Sequence, residues 1–368
     1  MKKFYITYLI LISCFTFFTA PSKASAAKDA DGLGYTVSIV QPKTQIDPEK
    51  SYFYVKTTPG EVQTLEARVK STKKEPVHLN IYGSNAITGD GGTIEYATDV
   101  SKIDKTLNEP LTSLITIENP EITVENFEEK IIHIKLTPPK EIYQGVKMGA
   151  LIFSLDKGSE KKSGVTTEFS YRVGLIASSS GDEFDNAQTL KLNSAKATMK
   201  RGKKMVIANL QNPEPKILEN LNIEATMVEK GSEKKIKKIT VQNYKLAPNS
   251  NFDFEMDWGI AQLPSGDYTL KLTASNGIQE WDLSKDFTIS NQQAKQINEA
   301  SVFKIITPTW IKIITAIFIG YFIMITSIMI FRRIRWEKKW KKRRFLKNKE
   351  KKKAARDNRH RKRMRDQK

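Results

Sequence analysis

Residues 313 to 331 read IITAIFIGYFIMITSIMIF, nineteen consecutive positions without a charged side chain. At about 1.5 Å per residue, a helix of this length measures roughly 28 Å, close to the ~30 Å hydrocarbon core of a bilayer. The run predicts a transmembrane helix at 310–331; a buried core helix, the alternative, is usually shorter. Aromatic and cationic side chains flank the run, where they anchor a helix at the headgroup level. These predicted membrane-anchoring residues are Trp310, Lys312, Arg332, Arg333 and Trp336.

A basic tail follows the apolar run and predicts its orientation. Residues 332–368 contain 21 Lys and Arg against four acids, a net charge of +17. Basic residues near a span stay on the cytoplasmic side, so we predict a single-pass cell-membrane protein with an extracellular N-terminal segment and a cytoplasmic tail. The tail is also predicted to lie along anionic lipid, where each nearby basic residue contributes ~1 kcal/mol.

The remainder of the chain is close to neutral. The formal net charge of the whole chain is +19, and nearly all of it lies in the tail. A nucleic-acid-binding function, which a strongly basic protein would suggest, therefore loses its main support. No nucleic acid is expected as a partner.

The N-terminus has the layout of a signal peptide. Two lysines precede an apolar stretch at 4–18, and small residues at 24–27 supply an A-x-A cleavage site. Residues 1–26 are therefore predicted to be removed on export. In the alternative, Leu11-Ile12-Ser13-Cys14 is a lipobox and Cys14 is lipidated; the apolar run continues past this cysteine, which favours the ordinary signal.

Cys14 is the only cysteine, so the mature protein is predicted to contain none. Exported proteins of organisms that use disulfides usually carry several, and the lack of them points to a Gram-positive cell surface. It also excludes thiolate catalysis and cysteine-ligated zinc. No cofactor is predicted.

Short runs of alternating apolar and polar residues fill the segment between the two targeting regions and predict strands. Turn signals such as Gly89-Asp90-Gly91-Gly92 separate them. Seven predicted strands in roughly a hundred residues suit an immunoglobulin-like sandwich for the second half, and the first half is predicted to be a sandwich with insertions. The predicted organisation is a signal peptide (1–26), two sandwiches (33–178 and 182–291), a short helical stalk that Pro308 ends (292–309), the transmembrane helix (310–331) and the tail (332–368).

Histidines offer no catalytic or metal-binding pattern. His78 and His133 each lie inside a strand pattern without a partner at ligand or triad spacing, which favours structural roles. Nucleophile-elbow, H-E-x-x-H and P-loop motifs are absent from the sequence.

Two sets of carboxylates leave calcium or glycosidase chemistry open in principle. One is Asp90 with Asp104; the other is Asp253, Glu255 and Asp257. The second set alternates with large apolar residues, so its members share one face of a strand. That pattern is typical of an ordinary half-buried strand, and we expect structural roles for it.

Several motifs, found in order along the chain, carry a resemblance to a known family. They are QIDPEKSYFYVKTTPGEVQTLEARV (45–69), NAITGDGGTIEY (85–96), YRVGL (171–175), LQNPEPKILENL (210–221), APNSNFDFEM (247–256) and PSGDYTLKLTAS (264–275). With these motifs the chain resembles the WxL-interacting protein family of Gram-positive surface proteins.

The resemblance implies a non-catalytic, membrane-anchored surface protein. The first sandwich would bind peptidoglycan, the second a host extracellular molecule, and a small secreted WxL-domain protein would be the partner. Since the motifs consist of turn residues and core aromatics, they name no ligand-contacting residue. Tyr52, Tyr54 and Asn85 are candidates for contact with sugars, although each would more often be a core residue. A membrane-anchored extracellular enzyme acting on cell-wall glycans is the alternative.

Overall fold

Two β-sandwiches and one long C-terminal helix make up the computed structural model, so the predicted mainly β fold with two immunoglobulin-like sandwiches is confirmed. The structure describes residues 33–156, 169–181, 183–232, 234–303 and 308–365, with side chains as far as residue 356. The predicted signal peptide at 1–26 and the lipobox alternative at Cys14 lie outside the described residues.

Ten strands build the first sandwich. They are β1 (Tyr35–Val40), β2 (Phe53–Lys56), β3 (Gln63–Ser71), β4 (Val77–Thr88), β5 (Ile94–Ala97), β6 (Ile115–Ile117), β7 (Glu121–Val124), β8 (Glu129–Leu136), β9 (Val146–Leu155) and β10 (Ser170–Ser178). One sheet has the order β1-β3-β8-β6, and the other has the order β2-β10-β9-β4-β5, with β7 also paired to β4. Of these pairs, β2 with β10 is parallel.

Apolar side chains on the inner faces of the two sheets form the core of the first sandwich. Phe53, Leu65, Ile134 and Phe153 are fully buried, and each such side chain contributes roughly 1.5–3 kcal/mol by leaving water. Tyr35 is buried among them, and its O–H donates to the Phe153 carbonyl (2.6 Å). The core therefore ties the edge strand β1 to the opposite sheet.

The middle of the first sandwich, for which the sequence predicts no regular pattern, contains short elements. A tight turn at residues 89–92 ends β4 and starts β5, with Gly89 N–H donating to Thr93 O (2.9 Å). A 3₁₀ turn (Val100–Lys102) and the four-residue helix α1 (Leu111–Leu114) follow. Leu111 and Leu114 are buried, so this segment covers one end of the core.

Seven strands build the second sandwich, as predicted. They are β11 (Lys191–Lys200), β12 (Lys203–Asn212), β13 (Leu218–Glu229), β14 (Lys235–Leu246), β15 (Ser250–Asp257), β16 (Gly266–Ser275) and β17 (Glu280–Ile289). The sheets have the orders β11-β12-β15 and β14-β13-β16-β17. Phe252, Phe254 and Met256 point into the core, which confirms the alternation predicted for β15.

Helix α2 (Asn291–Ala300) corrects the prediction of a helical stalk that continues to Pro308. Ser290 caps its N-terminus by accepting from Gln293 N–H (3.1 Å), and the helix already ends at Ala300. Ala294 and Ile297 pack into the second core. The two apolar residues of this helix thus pack it on the second sandwich. The polar, Gln-rich sequence of the segment did not predict this packing.

Helix α3 (Thr309–Arg365) contains the predicted transmembrane run and continues into the basic tail. By length and composition its residues 309–356 form a candidate membrane span. Within the apolar part, the hydroxyl of Thr315 donates to Ile311 O (2.8 Å) and that of Thr326 donates to Phe322 O (3.0 Å). These bonds satisfy the two hydroxyls within the helix, as an apolar surrounding requires.

Candidate functional site

A cleft of about 680 Å³ lies beside β10 of the β2-β10-β9-β4-β5 sheet. Residues of β1, β5, β9 and β10 line it, together with the segment before β2 and residues of the second sandwich. Its aromatic and charged lining residues are Lys50, Tyr52, Tyr96, Tyr171, Arg172, Phe184, Glu219 and Lys245. We call it the aromatic cleft.

The register of the sheet explains the shape of this cleft. Gly174 on β10 pairs with Ala150 on β9, which pairs with Ser84 on β4, so three small residues form one row across the outer face. In the next row but one, Arg172 pairs with Ile152 and Ile152 with Tyr82. Of the three small residues, only Gly174 lines the aromatic cleft, where its missing side chain leaves a trough beside Tyr52.

A second, smaller cleft of about 410 Å³ adjoins the aromatic cleft and is lined by Tyr82, Asp99 and Lys102. The two share Tyr96 and Arg172 among their lining residues. Tyr96 and Arg172 therefore lie at the boundary between the two clefts, where an elongated ligand would pass both.

Tyr52 and Tyr96 of the aromatic cleft are held in their neutral form. Burial raises the pKa of Tyr96, and the nearby Arg172 opposes this effect. Burial likewise raises the pKa of Tyr52, opposed by Lys50. Both phenols thus keep their proton at neutral pH, present a ring face and can donate a hydrogen bond. Ring stacking combined with hydroxyl donors is a chemistry that suits sugars.

The cations of the aromatic cleft differ in how they are paired. Lys245 lies 2.8 Å from Glu219 and Lys50 lies 3.5 Å from Asp47. Arg172 forms no ion pair with any residue in the described part of the chain. Its guanidinium is exposed and remains available to a ligand.

The three sugar-contact candidates have different surroundings. Tyr52 lines the aromatic cleft. Tyr54 is buried, and its ring meets Phe184 edge-on at 5.1 Å between centroids. Asn85 is buried as well; its Nδ2 donates to Thr112 Oγ1 (2.9 Å) and its Oδ1 accepts from Thr112 N–H (3.0 Å). Only Tyr52 of these three is placed to meet a ligand.

His78 and His133 make local side-chain contacts. His78 Nδ1 lies 2.8 Å from Thr123 Oγ1 on the neighbouring strand. His133 Nδ1 lies 3.6 Å from Glu66 Oε1 across β3 and β8. Neither neighbour belongs to a group of three metal-ligating side chains, and the described residues contain no such group.

The carboxylates considered for calcium or glycosidase chemistry all have polar partners. Asp253 and Asp257 are paired within the second sandwich, where Asp253 Oδ1 accepts from Asn209 Nδ2 at 3.1 Å. Asp90, in the turn between β4 and β5, pairs with Lys200 (2.6 Å) and Arg201 (3.4 Å) on the second sandwich. The same two cations pair with Glu255, Lys200 at 2.8 Å. Asp257 pairs with Lys203 at 3.0 Å. Asp90, Glu255 and Asp257 therefore hold structural cations.

Asp104, the remaining acid of this set, accepts hydrogen bonds from both sandwiches. It accepts hydrogen bonds from Thr106 N–H (2.8 Å), from Gln211 Nε2 (2.9 Å) and from Asn251 Nδ2. Burial alone would raise the pKa of Asp104, but these donors outweigh burial and hold the pKa below its usual value. Gln211 and Asn251 belong to the second sandwich, so Asp104 links the two sandwiches.

The turn that carries Asp90 also makes close backbone contacts with the second sandwich. Lys245 N–H donates to Gly92 O (2.8 Å), and Ala247 N–H donates to Thr88 Oγ1 (2.9 Å). Gly92 adopts a φ of +68°, and its α-carbon faces the ring of Tyr244. The two sandwiches are thus joined by a defined interface as well as by the chain.

The predicted membrane-anchoring residues all lie on helix α3 and are exposed. Arg333 Nε lies 3.5 Å from Glu337 Oε1, one turn further along the helix. The guanidinium of Arg344 lies 5.6 Å from the centre of the Trp340 ring. Trp336 and Trp340, four residues apart, share one face because the helix continues past the apolar run, as considered from the sequence.

Sequence reasoning missed the residues that give the aromatic cleft its character. Tyr96, Arg172 and Gly174 stand in two motifs, NAITGDGGTIEY and YRVGL, whose members we interpreted as architectural. One available signal was Arg172 itself, a lone cation in a strand of small and apolar residues. Pairing partners, which depend on strands distant in sequence, decide that it meets Tyr96.

Comparisons with known proteins place two family matches along the chain. Residues 35–154 match the family described as WxL Interacting Protein, peptidoglycan binding domain, and residues 160–299 match WxL Interacting Protein, host binding domain. The second match begins before β10, although β10 lies in a sheet of the first sandwich. No curated protein matches the chain.

Several solved structures are similar to parts of the chain at low identity and low TM-score. The class 5 fimbriae chaperone CfaA is 13% identical with a TM-score of 0.25, over 69% of this chain and 98% of that one. The E. coli chaperone DraB is 13% identical with a TM-score of 0.25, over 69% and 96%. A chaperone–tip adhesion subunit complex of Acinetobacter baumannii Csu pili is 13% identical with a TM-score of 0.27, over 60% of this chain and 90% of that one.

Proposed function

The chain belongs to the WxL-interacting protein family, and from this premise we propose that it is a non-catalytic, membrane-anchored protein that binds peptidoglycan through the aromatic cleft. The observation that carries the proposal is that residues from separate sequence motifs line one cleft. Tyr52, Tyr96, Arg172 and Glu219 come from four separate family motifs, and all four line the same cleft. The rings of Tyr52 and Tyr96 would supply stacking surfaces for sugar rings.

Gly174 provides the sharpest test of this site. A Cβ added there would meet the Tyr52 Cβ at 3.4 Å, an ordinary contact, and the position has no left-handed backbone. Gly174→Val should therefore fold normally while its methyl groups fill the trough, and we expect roughly tenfold weaker binding to insoluble peptidoglycan, a loss of ~1.4 kcal/mol. Co-sedimentation of the full chain in detergent micelles with purified wall measures this.

Thr116→Val is the matched control, since it places the same side chain at an exposed position of a strand in the opposite sheet. Unchanged binding by Gly174→Val, with its thermal unfolding also unchanged, would remove the aromatic cleft from the proposal. The same assay tests the enzymatic alternative. Release of soluble sugar from the wall by the wild-type protein would favour a glycan-cleaving enzyme.

We propose a small secreted WxL-domain protein as the protein partner, and a host extracellular molecule as the ligand of the second sandwich. Family membership supports both proposals. Capture of proteins from a cell-wall extract by the immobilised full chain, followed by mass spectrometry, tests the first: we expect enrichment of a small protein carrying WxL motifs. Recovery of wall fragments alone would leave a simple wall-binding protein.

We also propose that α3 spans the cell membrane, with the sandwiches outside and residues 332–368 in the cytoplasm. Trp310 and Lys312 would anchor the outer end, and Arg332, Arg333 and Trp336 the inner end. The shared face of Trp336 and Trp340, surrounded by basic residues, suits anionic lipid headgroups. A peptide of residues 332–368 should co-sediment with phosphatidylserine vesicles at physiological salt; binding equal to that on neutral vesicles would contradict this.

A further inference from the structure

Arg172 distinguishes the aromatic cleft from a surface that only stacks on sugars. It lies where the two clefts meet, beside Tyr96, and it forms no ion pair within the described residues. Lys50 and Lys245 also line the aromatic cleft, but Lys50 is paired with Asp47 and Lys245 with Glu219. A guanidinium so placed suits a carboxylate, which it can bind through two parallel hydrogen bonds.

On its β2 side, the backbone of β10 at Arg172 is also not paired with any strand in the described part of the chain. Strand β2 pairs with β10 only from Leu175 to Ser178. Thr57 N–H donates to Ser178 O (2.8 Å), so even-numbered residues of β10 direct their backbone groups toward that side. Tyr52 lies against Gly174, whereas no strand in the described part of the chain pairs with Arg172 on that side. An extended peptide segment can hydrogen-bond to such an edge.

The two chemical parts of peptidoglycan, its glycan and its stem peptides, differ in charge. Its N-acetylated sugar chain is neutral apart from its ends, whereas its stem peptides are short, extended and carry free carboxylates. A neutral glycan could accept only ordinary hydrogen bonds from Arg172 and has no peptide backbone to pair with the edge of β10. An acidic stem peptide would use both, while its attached sugar lies over the Tyr96 ring.

We propose that the aromatic cleft recognises the acidic stem peptide of peptidoglycan, with Arg172 binding a stem carboxylate and the edge of β10 pairing with the stem backbone. This inference rests on the proposed function and sharpens it. It makes Arg172 the residue that separates peptide-bearing wall from bare glycan.

Three soluble probes test the inference by calorimetry on the full chain in detergent micelles. They are a disaccharide-tetrapeptide from digested wall, the same compound with its peptide carboxylates amidated, and N-acetylchitotetraose as a neutral glycan. For the disaccharide-tetrapeptide we expect Arg172→Gln to weaken binding about 10- to 100-fold, the range for a charge-assisted pair. Amidation should weaken wild-type binding by a similar factor, with little further loss in the variant.

Arg172→Lys and Arg68→Gln complete the design. The lysine variant keeps the charge but loses the planar fork, so an intermediate affinity is expected. Arg68 pairs with Glu129 (2.9 Å) on the other sheet, and its replacement should leave all three affinities unchanged. Unfolding temperatures check that each variant folds.

The outcomes separate this inference from the function on which it rests. Equal wild-type binding of the amidated and acidic compounds, or an equal effect of Arg172→Gln on chitotetraose, would overturn stem recognition while leaving wall binding intact. Failure of the wild type to bind any probe or insoluble wall would instead overturn the proposed function.

Discussion

Gly92→Ala should destabilise the junction between the two sandwiches by about 2–4 kcal/mol. Gly92 has a φ of +68°, and a Cβ added there would lie 2.0 Å from the Tyr244 ring. A side chain in left-handed backbone costs roughly 1–2 kcal/mol, and overpacking typically adds about 1–3 kcal/mol. Because the ring is held between Phe252 and Phe254, at centroid distances of 6.1 and 6.2 Å, it has little room to move.

Hydrogen exchange of two backbone amides reports this effect directly. Lys245 N–H bonds to Gly92 O and Ala247 N–H bonds to Thr88 Oγ1, so both amides should exchange faster in Gly92→Ala. The neighbouring Gly91→Ala is the control, because no heavy atom lies within 4 Å of its added Cβ and its φ is not in the left-handed region. Similar protection in both variants would show that the turn does not fasten the sandwiches.

Asp104→Ala should lower the free energy of unfolding by about 3 kcal/mol, since hydrogen bonds to a charged group are worth about 1.5–3 kcal/mol each and orphaned donors carry a further penalty. The side chain is only 5% exposed. Its loss would leave the amides of Gln211 and Asn251 without their acceptor. Urea denaturation of the full chain in micelles provides the measurement.

Asp99→Ala is the matched control for Asp104. Asp99 makes the same turn contact, accepting from Ser101 N–H at 2.9 Å as Asp104 accepts from Thr106, but it has no acceptor role toward the second sandwich in the described structure. We expect little change in stability from its replacement. An equally large effect of both variants would mean that the turn contact, and not the link between the sandwiches, stabilises the chain.

The pH dependence of stability follows from the lowered pKa of Asp104. In the unfolded chain this carboxyl titrates near its ordinary value of about 3.9. Its stabilising contribution should therefore be complete above that pH and be lost as the pH falls further, through the lower folded-state pKa. In Asp104→Asn the corresponding part of the acid-induced loss should disappear; an unchanged acid profile would exclude Asp104 as its source.

Alternation of apolar and polar residues predicted most of the strands because burial on one face imposes a period of two, as Phe252 and Phe254 show. The pattern failed where local contacts decide the backbone. At residues 83–118, the turn at Gly89 to Gly92 contacts the second sandwich, and Asp99 caps the 3₁₀ turn after it. Helix α2 was foreseen as a helix, but its packing on the second core depends on only two apolar residues, Ala294 and Ile297.

The aromatic cleft could be predicted only in part. Tyr52 was a candidate because a tyrosine in an alternating strand has either a buried or a ligand-facing position. Arg172 and Tyr96 were not, since 75 residues of chain separate them and only the sheet order β10-β9-β4-β5 brings them to one face. Local sequence fixes which residues are on a strand, whereas strand pairing decides which of them meet.

The position of β10 bears on how such a protein can be recombined. By sequence β10 falls in the second family match, yet it lies between β2 and β9 in a sheet of the first sandwich. A chimaera of two related proteins joined between residues 154 and 160 would therefore contain a first sandwich whose strand β10 comes from the other protein. Chimaeras that keep the first sandwich intact should be joined after Ser178, where β10 ends.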